Sequence, residues 1–193
     1  MTVLIAGLIL FLGVHSVRIL AEGWRSAQIA RLGLGAYKGI YSVVSALGLV
    51  LIAVGYGQAR SAPVPLWDPP LWSRHVSALL VLFAFVLLAA AYVPRNRIKA
   101  TVGHPMILGV KIWAAGHLLA NGTLADLLLF GGFLLWAVFD FRAARARDRV
   151  HGRGASRPTL AGTVASIVVG VGLWAAFAFH LHAWLFGVRP FVT

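Results

Sequence analysis

The sequence predicts an all-α fold, a polytopic integral membrane helical bundle of about six transmembrane helices, and three observations lead to this prediction. Hydrophobic residues make up 60% of the 193 residues and charged residues only 11%, whereas soluble domains average about 25% charged residues. The mean hydropathy is +0.87. Long apolar runs recur along the chain, and the basic residues lie in the short gaps between them, as in membrane proteins. The chain therefore has a surface suited to lipid.

Six apolar runs approach the roughly 17–25 residues that a helix needs to cross the hydrocarbon core. They cover residues 2–20, 39–56, 76–93, 106–121, 124–141 and 161–188, and the fourth is the shortest. Pro94, Pro105 and Pro158 lie at or before predicted helix starts, where a missing N–H costs little. The first run lacks the basic start and cleavage site of a signal peptide, so we predict a retained span. Residues 61–72 hold four prolines and two tryptophans, which predicts an extended loop with indoles at the lipid interface.

The distribution of positive charge predicts the orientation of these spans. The gaps after spans one, three and five hold thirteen lysines and arginines, against three on the opposite side. The thirteen are Arg18, Arg25, Arg31, Lys38, Arg95, Arg97, Lys99, Arg142, Arg145, Arg147, Arg149, Arg153 and Arg157. By the positive-inside rule, both termini are predicted on the non-cytoplasmic face. No basic patch alternates with exposed aromatic residues, so no nucleic-acid partner is predicted and the lipid bilayer is the expected surrounding.

Several classes of chemistry have no support in the sequence. There is no cysteine, which excludes disulfides, thiolate catalysis and Cys-ligated zinc or iron–sulfur sites. Glycine-rich phosphate loops, Ser/His/Asp arrangements and paired carboxylates are absent, so hydrolase and kinase functions are not predicted. Polar residues inside apolar runs remain as candidates, because placing them in lipid is costly. Lys111 is expected to extend its ammonium to the headgroups, and Asp126 lies where a helix N-terminus favours a carboxylate.

Two histidines inside apolar runs are the strongest candidates for a functional site. His15 follows Gly13, and His117 follows residues 114–116, which are all small, so a flat ligand could approach closely. Two neutral imidazoles from different helices can hold one metal, which makes bis-histidine haem a candidate. Burial with a hydrogen bond to a neighbouring carbonyl is the commoner role of such a histidine. The two differ in predicted depth by roughly 8–10 Å, and His104 is the substitute partner at the depth of His15.

Several ordered motifs give the sequence a family resemblance. These are YKGIYS at 37–42, WDPPLWSRH at 67–75, HPMILGVKIW at 104–113, HLLANG at 117–122 and DLLLFG at 126–131. On these motifs residues 1–149 resemble the NnrU family of bacterial membrane proteins, which predicts a five-helix domain over 1–149. Residues 150–193 are then a basic loop with an additional sixth transmembrane helix. The resemblance implies a multi-pass protein of the bacterial inner membrane, associated with denitrification and nitric oxide metabolism.

The family is also similar to the plant 15-cis-zeta-carotene isomerase, a haem b membrane protein with two axial histidines. Carried over by motif, those metal ligands fall on His15 and His117. The resemblance thus implies haem b and a redox or cis–trans isomerase-like role, with a hydrophobic small molecule or a nitrogen oxide as substrate. The isomerase has a further histidine downstream, and this sequence has Trp136 and Asp140 in that region instead. The other predicted cofactor-binding residues are His104, Lys111 and, for the propionates, Arg18, Arg95 or Lys99.

Two alternatives stay open at the level of the sequence. The chain could be a non-enzymatic accessory protein that assists a membrane reductase of nitrogen oxides, or transports a metal or nitrogen oxide along a polar track of Lys111, His117 and Asp126. A more distant similarity is to membrane methyltransferases of the isoprenylcysteine type, which use S-adenosylmethionine. His104, Pro105 and Gly109 fit their cofactor motif, but the tyrosine of that motif is replaced at position 107.

Overall fold

The computed structural model describes residues 1–152 and 157–191; Arg153, one of the predicted cytoplasmic charges, lies outside them. The helices are α1 Thr2–Leu20, α2 Glu22–Leu32, α3 Leu34–Ser61, α4 Leu71–Tyr92, α5 Arg97–Val102, α6 Pro105–Ala120, α7 Leu124–His151, α8 Leu160–Ala176, a π-helical segment Phe177–Leu181 and α9 His182–Phe186. Within the described ranges there is no β-strand, and one isolated antiparallel bridge joins Pro65 to Thr123. The all-α prediction is therefore confirmed.

In the described part of the chain, five helical stretches are long and apolar enough to cross a membrane: α1, α3, α4, α7 and the continuous stretch Leu160–Phe186. The chain is thus of the multi-pass membrane type. Five of the six predicted spans correspond to helices able to cross a membrane, and the number six stays a prediction. The fourth predicted run corresponds to α6, which has 16 residues and rises only about 24 Å, short of a ~30 Å hydrocarbon core. The orientation of the termini stays a prediction.

Lipid is the surrounding that the exposed side chains require. Ile9 and Val43 are each 70% exposed, and Phe83 is 52% exposed, although all three lie in the middle of long apolar helices. Buried side chains in the same helices are small, such as Ala84, Ala90 and Ala137. In a bilayer the outward apolar side chains contact lipid instead of water. The small buried residues let neighbouring helices approach closely.

The segments between the predicted spans contain more helix than the sequence indicated. The residues after span one form α2, those after span three form α5, and α7 continues ten residues past its predicted end at residue 141. Hydropathy marks where a helix leaves the lipid, whereas alanine and arginine, which are abundant after residue 141, have high helix propensity in water as well. The predicted gap after span five is therefore helical up to His151.

The described residues form two compact units. The first comprises residues 1–67 and 122–140, and the second residues 68–121 and 141 onward. In the first unit α1 packs closely on α3 through glycines of both helices. A Cβ at Gly55 would lie 2.2 Å from the backbone nitrogen of Leu4, and one at Gly7 would lie 2.6 Å from that of Ile52. This backbone-to-backbone contact is the packing mode of small residues in membrane helices.

In the second unit α4 is the central helix, with α6 and α8 packed on it. Gly109 of α6 faces the carbonyl of Ala84, and Gly170 of α8 lies against the backbone of Val86, where a Cβ would be 2.5 Å from its Cα. Buried Asn96 connects α4 to α5: its amide donates to the Ala90 carbonyl at 2.9 Å, and its side-chain oxygen accepts from the Lys99 N–H at 2.7 Å. These contacts fix the N-terminal end of α6, where His104 lies.

The proline-rich segment is held within the first unit. The N–H groups of Leu66 and Trp67 both donate to the Gly122 carbonyl, at 2.8 and 3.1 Å, and the Leu124 N–H donates to the Val64 carbonyl at 2.9 Å. The predicted extended loop is confirmed for residues 62–70, whereas Trp72 belongs to the first turn of α4. Its backbone contacts tie the end of α3 to the start of α7.

Candidate functional site

His15 lies on α1, one turn after Phe11. Its Nδ1 is 2.7 Å from the Phe11 carbonyl oxygen, and because a carbonyl can only accept, Nδ1 must carry the proton. The neutral ring therefore has its lone pair on Nε2. Metal-binding histidines commonly have this arrangement, in which the second ring N–H is held by a carbonyl that fixes the tautomer and the ring orientation.

Aromatic side chains from three helices of the first unit surround the His15 ring. Phe11 stacks on it with a centroid distance of 4.2 Å, Tyr41 of α3 lies at 5.2 Å, and Trp136 of α7 lies at 6.0 Å with its plane perpendicular. The Trp136 indole N–H is buried and has no hydrogen-bond partner among the described residues. A buried donor without an acceptor is costly, so this position favours a bound group that accepts a hydrogen bond.

His117 has the same local geometry in the second unit. It lies on α6 one turn after Trp113, its Nδ1 is 2.9 Å from the Trp113 carbonyl oxygen, and the two rings are 5.1 Å apart. Nδ1 is again the protonated nitrogen, and the Nε2 lone pair is the one suited to a metal. The preceding Gly116 packs against Ser77 and Leu80 of α4. That contact fixes the rotation of α6 and hence the direction of the imidazole.

His104, the substitute ligand, has a different partner. It is the residue before α6, and its Nε2 is 3.0 Å from Asp148 Oδ2 of α7. The ring also contacts the edge of Phe141 at 6.2 Å. Because a carboxylate accepts, the His104 Nε2 carries the proton in this pair. Nε2 is the ring nitrogen farthest from the backbone, and it is already bonded to Asp148. The sequence did not identify Asp148 as a partner.

The basic candidates have individual roles in their units. Arg18 lies one turn after His15 in the last turn of α1 and is exposed. Lys99 Nζ donates to the Ala91 carbonyl at 2.8 Å and so caps the end of α4. Arg95 has a positive φ of 52°, and its carbonyl accepts from the Thr159 N–H at 2.7 Å. Of these three, Arg18 lies in the same unit as His15.

The Lys111 ammonium lies 4.9 Å from the centroid of the Phe141 ring. This is a cation–π geometry within the second unit. The side chain therefore has an intramolecular contact at that position, in addition to any interaction with headgroups.

Asp126 accepts three hydrogen bonds through its carboxylate. It is 5% exposed; its Oδ2 accepts from the Thr123 N–H at 3.0 Å and from the Thr123 hydroxyl at 2.6 Å, and its Oδ1 accepts from the Tyr56 hydroxyl at 2.5 Å. The Asp126 N–H donates to the Thr123 hydroxyl oxygen at 3.3 Å, and this bond completes a reciprocal capping box at the start of α7. This arrangement stabilises the fold. The carboxylate predicted to lie at a helix N-terminus is thus part of the capping box of α7.

The remaining histidines are peripheral. His75, His151 and His180 are exposed, and the His182 Nδ1 is 2.7 Å from the Val188 carbonyl. Among the described residues no group of three or more histidine, cysteine or acidic side chains is arranged to hold a metal ion. Haem needs at most two axial protein ligands, so such a group is not a condition for the predicted cofactor.

Sequence reasoning missed the aromatic partners of the two histidines, although a local signal was present. In both cases an aromatic residue precedes the histidine by four positions, the spacing that places two side chains on one helix face. The capping box was likewise readable as Thr123 followed three residues later by Asp126. The contacts of Tyr56, Tyr41 and Asp148 are between distant parts of the chain, and no local pattern indicates them.

Comparison with known proteins places the chain in a family. The profile of the NnrU protein family matches residues 3–190. The match extends past residue 149, where the motif resemblance ended, and includes the last helix. No curated protein and no solved structure matches the chain. Because the family profile covers nearly the whole sequence, the chain belongs to the NnrU family.

Proposed function

We propose that this NnrU-family membrane protein binds haem b, with His15 and His117 as axial ligands, and has a redox or cis–trans isomerase-like role. By the family resemblance, that role lies in nitric oxide metabolism and denitrification in the bacterial inner membrane. One observation carries the proposal: both imidazoles donate Nδ1–H to the carbonyl one turn earlier, at 2.7 and 2.9 Å. Each ring therefore has the tautomer with its lone pair on Nε2, the form that an iron ligand needs.

The surroundings of His15 fit such a group. The ring lies among Phe11, Tyr41 and Trp136, which give it aromatic neighbours on three helices. The buried Trp136 N–H offers a donor that no described residue uses. Arg18, one turn away, supplies a positive charge for a carboxylate, and charge-assisted hydrogen bonds of that kind are strong.

When bound, haem b supplies a one-electron couple and, once an axial ligand leaves, a coordination position for a small molecule. The protein residues set the conditions for this chemistry. The Phe11 and Trp113 carbonyls hold the two rings in one tautomer, which raises their basicity as ligands. The Asp148 carboxylate holds His104 at Nε2, which favours His117 as the second ligand.

Ligand replacement tests the assignment. His15→Ala and His117→Ala are each expected to abolish the six-coordinate bis-histidine absorption spectrum of the purified protein, and free imidazole should restore it by filling the vacated position. His104→Ala should keep the spectrum of the wild type. His75→Ala, a change at an exposed histidine, is the matched control. A bis-histidine spectrum that persists in both His15→Ala and His117→Ala would contradict the proposal.

Measurements on the same purified protein distinguish the two alternative functions from haem binding. A non-enzymatic accessory role would appear as co-purification with a reductase complex and no bound cofactor. The methyltransferase alternative would appear as heat of binding on titration with S-adenosylmethionine, with protection of His104. Neither result is expected for a haem protein.

A further inference from the structure

The C-terminal end of the last span folds back on itself. The helix ends at Gly187, whose φ of +68° is the left-handed conformation of a helix C-cap. His182 Nδ1 then donates to the Val188 carbonyl at 2.7 Å, and Phe191 returns to stack on Phe179 with a centroid distance of 5.3 Å. Trp174 contacts both phenylalanine rings edge-on at 6.1 Å. We call residues 177–191 the C-terminal clasp.

The clasp borders an open cavity of about 750 Å³. Phe179, Trp184 and Phe191 form its aromatic walls, and His180 and Arg189 are its two polar side chains. Within the described ranges, neither polar side chain has an ion pair or a hydrogen bond. The cavity therefore combines a fixed positive charge, a second nitrogen donor or acceptor and apolar walls.

The last helix is longer than the hydrocarbon core requires, which allows the clasp to reach the headgroups. The stretch Leu160–Phe186 has 27 residues and rises about 40 Å, roughly 10 Å more than the hydrocarbon core. Counted from Leu160, the excess begins within the π-helical segment Phe177–Leu181, and such segments are frequent at functional sites. Below it, Val164, Val168 and Val171 are 49%, 64% and 40% exposed, and their spacing of four and three residues places them on one helix face, where they form an apolar track.

We propose that the C-terminal clasp binds the phosphate headgroup of an anionic phospholipid. The Arg189 guanidinium is suited to two parallel hydrogen bonds with phosphate oxygens, and His180 supplies a third donor. The aromatic walls hold the glycerol region, and the acyl chains follow the exposed apolar track. A free phosphate ion would use the same two polar residues but would leave the aromatic walls and the track without a partner, which is why the lipid is the assigned ligand.

Native mass spectrometry of the detergent-solubilised protein, titrated with phosphatidylglycerol, tests this proposal. We expect one saturable phospholipid per chain in the wild type, and Arg189→Gln should weaken its binding by about tenfold or more, because a charged hydrogen-bond donor is lost. Arg74→Gln is the matched control: it makes the same change of charge at an exposed residue of α4 and should bind like the wild type. Both variants should melt at the temperature of the wild type, since both arginines are exposed.

Three results would overturn the assignment. Equal loss of binding in Arg189→Gln and Arg74→Gln would show a diffuse attraction of anionic lipid. Inorganic phosphate that binds as tightly as phosphatidylglycerol and displaces it would show a free-phosphate site. Absence of saturable phospholipid binding to the wild type would show that the clasp only anchors the helix end in the interface.

Discussion

Replacing Gly55 by alanine is expected to force α1 away from α3 and to lower the free energy of unfolding by about 3 kcal/mol, the upper end of ordinary overpacking. The added methyl would lie 2.2 Å from Leu4 N and 2.6 Å from Leu4 Cα. Those atoms belong to the helix backbone, so no side-chain rotation can relieve the overlap. The measurement is a denaturant or thermal unfolding curve of the detergent-solubilised protein.

Gly57→Ala is the matched control for this substitution. Gly57 lies two residues further along the same helix, and a Cβ there would meet no atom within 4 Å. Since alanine is the better helix former, Gly57→Ala should leave stability unchanged or raise it slightly. If Gly55→Ala unfolded at the same point as Gly57→Ala, the close contact of the two helices would be disproved.

Asp126→Ala is expected to have the second large effect on stability. The change leaves the Thr123 N–H, the Thr123 hydroxyl and the Tyr56 hydroxyl without their carboxylate acceptor. Each buried group that loses its partner costs about 1–3 kcal/mol, so we expect a total loss of about 3 kcal/mol or more. Tyr56→Phe removes only one of the three donors and should cost about 1–2 kcal/mol.

A double-mutant cycle measures this interaction directly. The double variant Tyr56→Phe, Asp126→Ala should lose less stability than the sum of the two single variants, because the residues share one hydrogen bond. Tyr92→Phe is the control, since Tyr92 is 75% exposed and its hydroxyl is expected to contribute little. Strict additivity of the two changes would show that the buried hydrogen bond does not contribute to stability.

The sequence was sufficient to predict the part of the fold that hydropathy determines. Span one was predicted at 2–20, and α1 is Thr2–Leu20. Pro105 was predicted at a helix start and is the first residue of α6. Hydropathy does not determine where a helix ends outside the lipid, and so the polar helices α2 and α5 and the extension of α7 were missed.

The candidate site was predicted residue by residue but not in its contacts. His15 and His117 stood out because a polar side chain in an apolar run is costly. Their hydrogen bonds to carbonyls one turn earlier are local, so helix geometry alone is enough to predict them. The pairing of His104 with Asp148, by contrast, joins residues 44 positions apart. Such contacts depend on tertiary packing, which a single sequence does not reveal.

The central claim is that the Nε2 atoms of two tautomerically fixed histidines, His15 and His117, ligate the iron of haem b. The most direct test is the absorption spectrum of the detergent-purified wild-type protein from haem-replete cells, oxidised and then reduced with dithionite, with the haem content measured per chain. We expect one haem b per chain and a six-coordinate, low-spin spectrum whose α and β bands sharpen on reduction. A colourless protein that also fails to take up added haemin would contradict it.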